Sequence, residues 1–81
     1  MEMTEFEIDA IFNTIYRPGR VVKILTKGTK EDNIPVRYWR RWTVIKVYEH
    51  HVLMQSEQGH HESFSNIDIR EMIRKGEIRW K

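Results

Sequence analysis

The chain has 81 residues, 40% of them apolar and 32% charged, with a net charge of +2. That is enough for one domain with one small core, and it excludes a disordered or low-complexity protein. There is no cysteine, which excludes a disulfide framework, a thiolate nucleophile and a thiolate metal site.

No apolar run approaches the roughly 20 residues of a membrane span. The start, Met1-Glu2-Met3-Thr4-Glu5, is acidic rather than basic. Neither a membrane anchor nor a signal peptide is therefore expected, and the expected location is a reducing cytoplasm. Charge is unevenly spread. Residues 1–16 carry −4, from Glu2, Glu5, Glu7 and Asp9 with no Lys or Arg, whereas residues 17–81 carry +6. A basic body behind an acidic leader favours a polyanionic partner.

Residues 4–15 read as a helix. Thr4 is placed to cap it, with Glu7 at capping-box spacing, and Glu5, Glu7 and Asp9 suit the positive end of the helix dipole. Ile8, Ile11, Phe12 and Ile15 form one apolar stripe. Arg17-Pro18-Gly19 ends the helix. Residues 20–26 read as a strand, 27–35 as a polar loop, 39–48 as a second strand and 51–57 as a third.

Glu49-His50 leaves room only for a two-residue hairpin turn. If Tyr48 opposes His51, then Val47 opposes Val52 and Ile45 opposes Met54, and those four form the core face. Val44 and Leu53 then lie on the other face beside Lys46 and Gln55. That face is half apolar, and the N-terminal helix is the candidate to cover it. Gln58-Gly59 marks another turn, and residues 60–64 a short fourth strand. Ser65-Asn66 cap a helix over 67–75, with Arg74-Lys75 at its end and Gly76 just beyond it. Residues 77–80 could close the structure as a last strand.

This order of strand, long polar loop, three-strand meander, helical turn and final strand resembles an SH3-like small barrel. Residues 19–26 resemble the opening strand of such barrels, 27–38 their long first loop and 42–64 their central meander. The resemblance covers about residues 19–81 and implies an α+β, mainly β, fold. It would be a small five-stranded antiparallel barrel with an N-terminal helix (1–18) and a short C-terminal helix, all one domain over 1–81. The Ala-Leu-Tyr-Asp-Tyr signature and the Trp-Trp pair of the peptide-binding members are absent. More broadly the chain resembles small proteins common in bacterial and phage genomes.

The densest functional signal is Arg37-Tyr38-Trp39-Arg40-Arg41-Trp42. Aromatic rings interleaved with guanidinium groups supply stacking, cation–π contact and phosphate pairing. On a strand Tyr38, Arg40 and Trp42 point one way, and Trp39 and Arg41 the other. One reading packs Trp39 in the core and Trp42 under the helix. The other leaves Tyr38 or Trp42 exposed for stacking. The candidate site is Arg37, Tyr38, Arg40, Arg41 and Trp42, helped by Lys23, Lys46 and Arg74. The expectation is a non-enzymatic module, monomer or homodimer, that binds nucleic acid weakly and without sequence preference. The alternative is a protein-interaction adaptor or a subunit of a bacterial or phage assembly.

His50-His51 and His60-His61 sit at opposite ends of the third strand, and strand neighbours face opposite ways, so no shared metal site is expected. His61, Ser63 and Ser65 share strand parity, but nothing supplies an oxyanion-hole loop, so no catalytic residue is assigned. No cofactor is expected. The acidic helix could mask the basic surface or pair with a second copy.

Overall fold

The computed structural model describes residues 2–29 and 31–80. Helix α1 (Glu5–Ile15) begins with the expected capping box. The Thr4 hydroxyl accepts from the Glu7 N–H at 3.1 Å, and the Glu7 carboxylate accepts from the Thr4 N–H at 3.3 Å. Ile8, Phe12 and Ile15 bury its stripe, and Tyr16 at its end is buried too. Gly19, at φ 90°, makes the turn. Its N–H donates to Val44 O and the Val44 N–H donates to Arg20 O, both at 2.8 Å, which hooks the helix exit onto the sheet.

Strands β1 (Val21–Thr29), β2 (Pro35–Val47), β3 (His51–Ser56), β4 (His61–Ser65) and β5 (Ile78–Arg79) form one antiparallel sheet in the order β4-β3-β2-β1-β5. Helix α2 (Asn66–Lys75) joins β4 at one edge to β5 at the other. The Ser65 hydroxyl accepts from the Asp68 N–H at its start, and Gly76 ends it in the left-handed conformation. Stripe residues of both helices (Ile8, Phe12, Ile15, Ile69, Ile73) share one core with Val22, Ile24, Trp42, Val44, Val52, Met54 and Ile78. These strand residues are at alternating positions, so both helices lie on one face of the sheet.

Three expectations change. The sheet is open: β5 pairs with β1 and β4 with β3, and two edges remain instead of a closed barrel. The helices cover the face that barrel closure would have enclosed. Next, the expected loop 27–35 is shorter, because residues 27–29 and Pro35 are strand. β1 runs to Thr29 opposite Pro35, with Lys27 opposite Arg37 and Gly28 opposite Val36. Gly28 leaves the space that the Tyr38 ring borders, and Pro35 stands first in its strand, where its missing N–H is tolerated. Cross-strand pairing overrides the polar composition of this ribbon.

The third change is a register shift in β2. Val47 opposes Val52 as expected, but Val44, not Ile45, opposes Met54. Ile45 is the extra residue of a β-bulge and is exposed. Upstream of it, Trp42 and Val44 therefore face the helices, and Trp39 does not.

The buried Tyr16 hydroxyl has no hydrogen-bond partner among the described residues, and desolvation raises its pKa. Because the buried phenol resists ionisation, its ionisation favours the unfolded chain: stability does not depend on this group below its ordinary value of about 10 and falls as pH climbs past it. Tyr16→Phe should be about 1 kcal/mol more stable in urea at neutral pH. It should also lose less stability than the parent above pH ~10. A variant less stable at neutral pH would show that the hydroxyl is satisfied by bound water.

Candidate nucleic-acid interface

The face of the sheet opposite the helices is where the cations gather. Cross-strand partners share a face, so the registers assign it directly. Arg79, Lys23 and Arg41 stand side by side on β5, β1 and β2. One row toward the hairpin tip, Leu25 pairs with Trp39; in the row after that, Lys27 pairs with Arg37. Beyond the bulge Lys46 pairs with Leu53 on the same face.

Among the described residues the carboxylate that meets this array is Glu57, 3.6 Å from Arg41, and both side chains are more than half exposed. Such a pair contributes little. Like charges directly opposite on a sheet destabilise it. The Arg79–Lys23–Arg41 row therefore works against the fold unless an anion sits on it.

Two aromatic groups lie on this face. Trp39 is half-buried, and the Arg79 guanidinium lies over its ring, 4.1 Å from the centroid. Near the β2–β3 turn Tyr48 stacks on His51 with centroids 4.5 Å apart, and the Lys46 ammonium is 5.0 Å from the Tyr48 ring. Arg41 borders two shallow clefts. One of about 390 Å³ includes Tyr38, Trp39 and Glu57; the other, of about 410 Å³, includes Lys23, Arg79 and Trp80.

The residues expected at the site are thus divided. Lys23, Arg37, Arg41 and Lys46 come together on the uncovered face. Tyr38, Arg40 and Trp42 take the other side of β2. Trp42 is 4% exposed, edge-on to Phe64 with centroids 5.2 Å apart, so it cannot stack on a partner. Arg40 lies over that ring at 4.9 Å and serves the core edge. Tyr38 is exposed on the helix side. Arg74, on α2, is held by Glu71 at 2.7 Å and by Glu5 of α1, and the hydrogen bond to Glu5 above all raises its pKa. Arg70 pairs with Asp9. The acids of α1 therefore neutralise α2 and leave the sheet cations uncovered.

Lys27, Trp39 and Arg79 belong to the face but were not expected there. Trp39 shares strand parity with Arg41, a signal obscured by its apparent parity with Ile45 and Val47. Arg79 is placed by the pairing of β5 with β1, which no local pattern announces.

Comparison with protein families, curated proteins and solved structures finds no match to this chain. No helix among the described residues is long and apolar enough to cross a membrane. No group of three or more His, Asp or Glu among them could hold a metal ion.

Trp42→Ala should lose about 3–5 kcal/mol in urea unfolding, because it removes a buried indole from the core. Trp39→Ala should lose less than half as much. Equal losses would place Trp39 in the core after all.

Proposed function

We propose that the protein is a small non-enzymatic module that binds nucleic acid weakly and without sequence preference through the uncovered sheet face. The observation that carries this reading is the register of Arg79, Lys23 and Arg41, flanked by the Lys27–Arg37 pair. Adjacent strands are about 4.8 Å apart, and the two cationic rows are separated by four residues, about 13 Å along the strands. Phosphates placed on such rows release their counterions, which supplies most of non-specific affinity. Both helices lie behind the sheet, so no recognition helix is offered to a major groove. An SH3-like relationship rests on the order of elements, which supports a binding role; the open sheet departs from it.

The second reading is an adaptor or assembly subunit. It is favoured by a cleft of about 440 Å³ on the helix side, floored by Ile24, Trp42, Phe64 and Met72 and edged by Glu62 and Glu77. A partner there would bind with little dependence on salt.

Anisotropy titration of a labelled oligonucleotide should show micromolar affinity at low salt. Three to four phosphate contacts should give a log–log salt slope of about −2 to −4. Lys23→Glu should weaken binding while making the protein more stable, by about 0.2–1 kcal/mol, because it relieves the like-charge row. A variant that binds less but gains no stability would locate the array elsewhere. No binding at low salt would remove the nucleic-acid reading in favour of the adaptor.

A further inference from the structure

We infer that the nucleic acid taken by this face is unpaired, and that a base stacks on the Arg79 guanidinium where it lies over Trp39. This rests on the reading of the sheet face as a nucleic-acid surface. At 4.1 Å from the ring centroid, the guanidinium covers the indole on the solvent side of the sheet. Arg79 is itself exposed, so its outer side is free of the core. The plane is held in place by cation–π attraction to Trp39 and by the two-residue pairing of β5 with Lys23 and Ile24. Unpaired bases stack on aromatic rings and on Arg planes alike.

The surroundings select the single strand. The Trp39–Leu25 row lies between two cationic rows, Lys27–Arg37 on one side and Lys23–Arg41 on the other. A strand crossing both rows presents the intervening nucleotide to the stacked pair. In a duplex the bases are already stacked on each other, so no base face is free to lie on the guanidinium plane. A duplex would therefore use the cations and leave Trp39 and Arg79 idle.

The test uses the full chain with a short oligothymidine strand, a blunt duplex of the same length and inorganic polyphosphate, at low and physiological salt. Arg79→Lys keeps the charge and removes the plane. Its fold is verified by urea unfolding. The single strand should bind about tenfold tighter than the other two, and Arg79→Lys should cost it about five- to tenfold while changing the duplex and polyphosphate less than about twofold. Equal binding of all three, with Arg79→Lys affecting them alike, would overturn the single-strand inference and leave the phosphate-binding face standing. Failure of all three to bind at low salt would overturn both.

Discussion

The single extra residue at Ile45 decides which side of β2 is inside. Side chains along a strand alternate, so a one-residue offset exchanges the two faces. Below the bulge Val47 shares a face with Val52, and above it Val44 and Trp42 share that same face with Met54 and Ser56. Without the bulge, the core side of the hairpin end would continue into Ile45, Thr43, Arg41 and Trp39. Three cations would then come under the helices, since Lys23 and Arg79 stand in register with Arg41. Burying unpaired charges costs far more than a bulge. The bulge thus reconciles two apolar stretches of β2 that are out of phase with each other, and it leaves the cations and Trp39 on the open face.

Charge separation follows from the same division. The acids of α1 face α2, where Asp9 and Glu5 meet Arg70 and Arg74. The helix layer is thereby balanced internally, and the basic excess falls on the sheet. A domain of 81 residues buries only about 60% of the surface its chain exposes when unfolded, so its stability is small. In so small a fold a row of three like charges is a measurable fraction of that stability, a strain of the sort that collects at functional positions.

What the sequence alone revealed was local. Thr4 with Glu7, Ser65, and Gly76 each mark a helix end through one short-range bond or one left-handed residue, and all stand where their chemistry puts them. The Glu49-His50 turn was legible because two strand-like runs leave no other spacing. The rest depends on pairing. The ribbon through Gly28 and Pro35 has too few apolar side chains to set a pattern of its own; only the opposite strand fixes it. The bulge requires knowing which of two conflicting apolar phases the helices will cover. The edge position of β5 follows from α2 crossing the sheet, so Arg79, from the end of the chain, arrives over Trp39 with no sequence signal beforehand. Of the candidate site, the cations of β1 and β2 were legible, and the division between Trp39 and Trp42 was not.

A surface rich in lysine and arginine needs no partner to explain it if it only keeps sheets from joining edge to edge. That explanation covers only part of the pattern. Edge protection places charge on edge strands, yet the edge strand β4 presents His61, Ser63 and Ser65 on this face, opposite Gln55, Leu53 and His51. Arg37 and Arg41 stand on the stretch of β2 that pairs with β1 alone, and Lys46 on the stretch that pairs with β3 alone, so edge protection accounts for charge there but not for its alignment opposite Lys27 and Lys23. Solubility does not explain them either, since it is served as well by charges spaced apart or of mixed sign, and better by acidic ones. Cations set directly opposite one another across strands, around a ring covered by a guanidinium, repel one another in the free protein. An anion lying across the strands would relieve that repulsion, which is why the arrangement supports an anionic partner.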